Sequence, residues 1–176
     1  MKIIKPKKLN KGDTIGIVAS SLPVLPLFRD NYEKGKNLIE EMGFKIKEGK
    51  TIGKVRWWAA GTPKEVAEDI NSMFADKNIK AIMAQTGGYS AISVLEHLNY
   101  ELITNNPKPF IGMSDMTAYH LAIFTKTGMV GFHMDDVTFG FSQDEKGLDQ
   151  EFFMKFLTKA EAPGIIKPLS EWEEWK

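Results

Sequence analysis

Apolar residues along the chain recur at two spacings, and the switch from one to the other marks out its elements. Thr14-Ile-Gly-Ile-Val-Ala-Ser20 follows a Gly-Asp turn and has the β-rich profile of a buried first strand, closed by the loop Ser20-Ser21-Leu22-Pro23. From Phe28 to Met42 the spacing turns helical: Phe28, Tyr32, Gly35, Ile39 and Met42 share one face, and Gly43 stands where a glycine ends a helix. Phe44 to Glu48 alternates and reads as a second strand. Trp57-Trp58 forms an aromatic loop; on an extended chain the two rings point opposite ways, so one could cap a pocket or a partner surface, but the expectation is that both help seal the core. Thr62-Pro63-Lys64-Glu65 is a helix start, with a capping threonine, a first-turn proline and a glutamate three residues on. Val66, Ile70, Met73 and Phe74 carry its inward face to Asp76.

Ile79 to Ala84 is a further buried strand, running straight into Gln85-Thr86-Gly87-Gly88-Tyr89-Ser90. The helix after it is expected to turn Ile92, Leu95 and Leu98 inward. Pro109 to Met113 is again a strand, and from Asp115 onward Met116, Tyr119, Ala122 and Ile123 fall on one helical face. A strand from Met129 to Phe132 and a helix from Asp149 to Ala160 follow. Strand and helix thus alternate throughout, which predicts an α/β fold: an open parallel sheet with helices on both faces, flavodoxin- or Rossmann-like. Residues 1–160 make one domain on this reading. Beyond them Pro163, Gly164, Pro168 and Glu171-Trp-Glu-Glu-Trp175 read as the start of a linker, 161–176.

Composition narrows the function. With 23 basic and 23 acidic residues the chain has no net charge, which speaks against a nucleic-acid partner or an anionic membrane surface. There is no cysteine, hence no disulfide and no cysteine nucleophile. No apolar run approaches the roughly 20 residues of a membrane span, and Asn10 to Asp13 interrupt any signal-peptide core after the N-terminal lysines. The expected location is the cytoplasm.

Two loops fall beyond the carboxyl ends of predicted strands, where open parallel sheets collect their ligands. In Gly112-Met113-Ser114-Asp115 a serine stands at the joint between strand and helix, two residues after a glycine. Such a turn holds a hydroxyl clear of the sheet beside the free amides of a helix start. Ser114 or Asp115 is equally of the type that caps a helix, and the full elbow pattern wants a glycine where Met116 stands. Gly87-Gly88 lets the backbone approach a ligand, as an oxyanion hole or simply as a tight turn; it matches neither nucleotide-binding glycine pattern. His120 lies roughly 9 Å up the helix axis from Ser114, too far for a direct base. His133 is nearer the right edge, and a metal site of His133, Asp135 and Asp136 lacks a fourth ligand at the usual spacing. No metal and no cofactor is expected. A serine nucleophile needs a base within hydrogen-bond reach, and the local pattern supplies none.

Several stretches, in order, resemble the LD-carboxypeptidase family of serine peptidases, and most of all its microcin C self-immunity branch. They are Leu9 to Ser21, Gly61 to Ile70, Met73-Phe74, Ile79 to Ile82, Thr86-Gly-Gly-Tyr-Ser90, Asn106 to Thr117 and Thr127-Gly128. The resemblance implies that Ser114 is the nucleophile, that backbone amides at Gly87, Gly88 and Asp115 form the oxyanion hole, and that Tyr89 and Ser90 contact substrate. It implies an acyl-serine route to cleavage of an L,D-peptide bond in a muropeptide, or of a C-terminal amide or acyl phosphoramidate in a peptidyl-nucleotide. It also implies a Ser-His-Glu triad whose histidine and glutamate belong to a C-terminal domain, absent here, into which Trp172 to Trp175 would lead. The chain alone is then expected to be inactive, needing that domain or a homodimer partner. Val66, Gln85 and Met113 depart from the residues usual in the family. A non-catalytic peptide- or nucleotide-binding role is the alternative.

Overall fold

The structure is a computed structural model that describes residues 2–144, 147–162 and 164–165; Trp172 to Trp175 lie outside them. Its frame is a four-stranded parallel sheet of β1 (Thr14–Val18), β2 (Lys45–Glu48), β3 (Ile79–Ala84) and β4 (Phe110–Ile111), in the order β2-β1-β3-β4. The chain steps from β1 to one side for β2 and returns to the other for β3. The switch point of this open sheet therefore lies between the carboxyl ends of β1 and β3, where such folds form their ligand crevice.

Side chains alternate across a strand, and here that alternation divides the core in two. Ile15 and Ile17 of β1, Ala81 and Met83 of β3 and Ile111 of β4 face one way. There they meet Leu25, Tyr32 and Ile39 of α1 (Leu25–Glu41), together with Phe141, Phe153 and Leu157. Val18, Ile82, Ala84 and Phe110 face the other way. They pack on Val66, Ile70, Met73 and Phe74 of α2 (Pro63–Ala75) and on Met116, Tyr119 and Ile123 of α5 (Met116–Thr127). Both faces are covered, as the continuous apolar runs of β1 and β3 require.

Helix α2 begins as its sequence specifies. The Thr62 hydroxyl accepts the Glu65 amide at 3.2 Å, and the Glu65 carboxylate accepts the Thr62 amide at 2.8 Å. That amide, followed by Lys54, pulls the Glu65 carboxyl down to about 2. The far end is tied by Lys108, which is buried and donates Nζ to the carbonyls of Met73 and Asp76. Burial lowers the Lys108 pKa to about 8.

Several expectations are corrected. After β3 comes only a four-residue α3 (Ala91–Val94) with a 3-10 turn, Leu95–His97, so Ala91 and Val94 point inward and Ile92 is exposed. A short α4 (Tyr100–Asn105), anchored by Ile103, follows without a counterpart in the pattern. Met129 to Phe132 is not a ladder strand but two single bridges, Ile4 to Met129 and Ile111 to Phe132. The helix expected from Asp149 is α6 (Leu148–Phe153), which widens into a π-helical turn, Met154–Thr158. Trp57 and Trp58 do not seal the core: they sit exposed at the tip of a two-residue turn closed by the amides of Arg56 and Ala59, each bonded to the other's carbonyl.

Candidate active site

Strand β4 ends at Ile111, and three residues later the chain enters α5 through a sharp turn. Ser114 occupies that turn with φ of 60°, a left-handed conformation that costs an L-residue about 1–2 kcal/mol. Its side chain is exposed to an open cleft of about 410 Å³ lined by Leu22, Gly87, Gly88, Tyr89, Met113, Ser114, Asp135, Asp136 and Phe139, among others. The elbow anticipated from the strand-serine-helix sequence is therefore present, with Met116 in place of the second glycine.

The glycine loop after β3 comes up against it. A methyl group on Gly87 would lie 2.9 Å from Ser114 Cβ and 3.2 Å from Ser114 Oγ, so only glycine admits this approach without displacement. The Leu22 amide donates to the Gly87 carbonyl at 3.1 Å. In a trans peptide C=O and N–H point opposite ways, so the Gly88 N–H is directed away from Leu22. Among the described residues no acceptor takes the amides of Gly87, Gly88 or Asp115. Free amides beside a hydroxyl are what an oxyanion requires.

Neither Ser114 nor Asp115 caps α5 through its side chain. The Asp115 carboxylate reaches instead across the sheet end, where Oδ2 accepts the Ser21 hydroxyl at 2.7 Å and the Ala91 amide at 2.9 Å. Ser21 Oγ in turn accepts the amides of Tyr89 and Ser90, each at 2.9 Å, and stands 3.0 Å from Ser90 Oγ. Tyr89 lines the cleft and is exposed, whereas Ser90 sits behind the wall against Ser21. The sequence pattern marks Ser21 only as a loop residue. Its position at the end of β1, at the switch point, was the available signal.

The histidines are placed differently. His120 Nε2 lies 2.9 Å from the Gly112 carbonyl, its Nδ1 is buried without a partner, and its ring stands 6.2 Å from that of His133. Burial pulls the His120 pKa below the ordinary imidazole value, against the Gly112 bond, and His133 adds to the fall. His133 is exposed, and neither ring bonds Ser114. Asp136 is buried and accepts Thr86 Oγ1 at 3.0 Å and the Phe139 amide at 2.8 Å; burial raises its pKa. Among the described residues no three acidic or histidine side chains gather as a metal site.

A strained, exposed serine on a strand-to-helix elbow, faced by a glycine loop, is the arrangement that serine hydrolases of α/β architecture use. The chain belongs to the LD-carboxypeptidase family: residues 15–134 match the model of the LD-carboxypeptidase N-terminal domain. It is 35% identical to the microcin C7 self-immunity protein MccF of Escherichia coli over 153 residues, 86% of this chain and 44% of that protein. It is 37% identical to a probable murein peptide carboxypeptidase of Bacillus subtilis over 129 residues, 73% of this chain and 40% of the relative. The solved structure of wild-type MccF superposes with a TM-score of 0.84 at 34% identity, covering 87% of this chain and 46% of that one. The chain thus spans about half or less of the length of the relatives it matches. Other MccF structures hold aspartyl sulfamoyl adenosine or glutamyl sulfamoyl guanosine, and one is an active-site variant with a serine, an asparagine and a lysine replaced by alanine.

Proposed function

We propose that this chain is the nucleophile-bearing part of a serine peptidase of the LD-carboxypeptidase and microcin-immunity type, with Ser114 as nucleophile. The observation that carries this reading is the Ser114 backbone itself, held at φ of 60° with its side chain exposed against Gly87. Strain of this kind persists where the surroundings over-determine it, and it clusters at functional sites.

In the proposed reaction Ser114 Oγ attacks the carbonyl carbon of an amide or L,D-peptide bond and passes its proton to a base. The carbonyl oxygen becomes an oxyanion bonded by the amides of Gly88 and Asp115, with Gly87 giving them room. The base returns its proton to the departing nitrogen as the C–N bond breaks, which leaves acyl-Ser114; water then hydrolyses the ester to the carboxylic acid and restores the serine hydroxyl. Tyr89 flanks the acyl group in the cleft. The base and its orienting carboxylate come, on this reading, from a second domain or a partner copy, since no imidazole bonds Ser114 among the described residues. The sulfamoyl nucleoside complexes of MccF and the murein carboxypeptidase relative support two substrate classes, peptidyl-nucleotides and muropeptides.

The test is hydrolysis of an L,D-tetrapeptide and of an aminoacyl sulfamoyl-adenosine by the 176-residue chain, alone and with the second domain of an MccF-type relative. Turnover that appears only with the added domain and vanishes in Ser114→Ala is expected. Turnover indifferent to Ser114→Ala would overturn the assignment.

A further inference from the structure

The Ser21 hydroxyl sits where three segments distant in sequence meet, and its bonding capacity is fully used. Ser21 is 1% exposed. A hydroxyl has one proton and two lone pairs. Its proton goes to Asp115 Oδ2 at 2.7 Å. Its lone pairs take the amides of Tyr89 and Ser90, both at 2.9 Å. Asp115 Oδ2 takes the next amide, Ala91, at 2.9 Å. Three consecutive amides of the glycine loop are thus bound by two side-chain oxygens, one from the end of β1 and one from the elbow. Gly88 makes this contact feasible, since a methyl group there would fall 2.2 Å from Ser21 Oγ. The neighbouring Leu22 amide holds the Gly87 carbonyl, which fixes the plane of the Gly87–Gly88 peptide.

We propose that Ser21 is a positioning residue for the reaction assigned to Ser114: its hydroxyl locks the Gly87–Ser90 loop to the Ser114–Asp115 elbow. The lock keeps the Gly88 and Asp115 amides at a fixed separation, so that they meet the developing oxyanion without rearrangement. This rests on the reading of Ser114 as nucleophile. Its consequence is specific to the chemical step. A loop released from the lock still presents the same cleft to a ligand, but its amides must be ordered each time charge develops, and preorganisation is what such a site contributes.

The experiment combines two readouts on the 176-residue chain. Amide hydrogen exchange by NMR follows Tyr89, Ser90 and Ala91, with the sheet amide of Gln85 as internal reference, bonded to Val18 at 2.8 Å. Labelling of Ser114 by an alkyl fluorophosphonate is resolved into kinact and KI. In Ser21→Ala, exchange at Tyr89 and Ser90 is expected to rise at least tenfold with Gln85 still protected, and kinact to fall about tenfold with KI within threefold. Asp115→Asn, whose side-chain oxygen accepts both bonds, should keep Tyr89, Ser90 and Ala91 protected, whereas Asp115→Ala should expose them. Unchanged protection in Ser21→Ala, or a loss carried by KI rather than kinact, would overturn the proposal. If Ser21→Ala fails to fold, Asp115→Ala cuts the same lock from the elbow side and is read by the same criteria. Absence of any Ser114 labelling in the unaltered chain would count against the nucleophile instead, while the exchange pattern would still decide the lock.

Discussion

Helices α2 and α5 both start after residues of the capping type, Thr62 in one case and Ser114-Asp115 in the other. At α2 the side chains do what their type favours, and a reciprocal pair of bonds between Thr62 and Glu65 closes the helix end. At α5 they do not. Ser114 takes a left-handed backbone and opens on a cleft, and Asp115 spends its carboxylate on Ser21 and Ala91. The first arrangement is what stability alone would select. The second leaves the Asp115 amide without a partner among the described residues and stores strain in the turn, and such costs are borne where the backbone groups serve something else. One signal in sequence, a short polar residue before a helical face, thus has two structural outcomes. The difference between them marks the site.

The comparison can be broken by exchanging the roles of the two ends. Ser114→Ala is expected to lower labelling by a fluorophosphonate at least 1000-fold, since it removes the hydroxyl proposed as nucleophile. Its melting temperature should stay within about 2 °C, because no cap is lost; a cost as large as a missing cap would mean that Ser114 is structural. Gly87→Ala should reduce labelling by about 100-fold with a folded chain, as displacement of the serine by a fraction of an ångström to an ångström is costly to a reacting pair. Unaltered labelling would show that the close approach of loop and elbow is incidental.

Thr62→Ala is the mirror image. It should cost about 1 kcal/mol of stability in chemical denaturation and leave labelling of Ser114 within twofold. Smaller still is the effect of Ser114→Gly, expected to stabilise by about 0.5 kcal/mol as release of the left-handed strain outweighs the added entropy of the unfolded chain. Destabilisation on that exchange would deny the strain. A pH series sharpens the picture of the ground under the elbow, where His120 holds the Gly112 carbonyl. Its folded pKa lies below the ordinary value, chiefly through burial. The unfolded chain therefore binds the proton more readily, and the stability carried by neutral His120 is present above about pH 6.5 and is lost as pH falls below it. His120→Gln should flatten that loss between pH 7.5 and 5.5 in thermal melts; an unchanged slope would assign it to other groups.

Much of the fold was legible because its elements are long or strongly patterned. Strand β3 and the capped start of α2 appear where their residues place them, since burial on both faces and a complete capping box leave little freedom. Between β3 and β4 the pattern misled. With four helical residues α3 makes barely one turn, too short for a period of 3.6 to be read, and Ile92, expected inward, is exposed. Met129 to Phe132 has strand composition but meets only single bridging partners on either side. At the site, the joint of strand, serine and helix could be read locally. The bonds of Ser21 could not, because its partners Ser90 and Asp115 lie 69 and 94 positions away; only its place just after β1, at the switch point, carried a signal.

The most direct test of the central claim is to map where an alkyl fluorophosphonate reacts on the 176-residue chain. Oxyanion donors and binding alone sustain roughly 1000-fold reactivity over water when a triad is incomplete, so labelling should be slow but selective. The expected result is a single phosphonylated peptide carrying Ser114, lost in Ser114→Ala. Adducts spread over exposed serines such as Ser93, or a pattern unchanged by Ser114→Ala, would contradict the account.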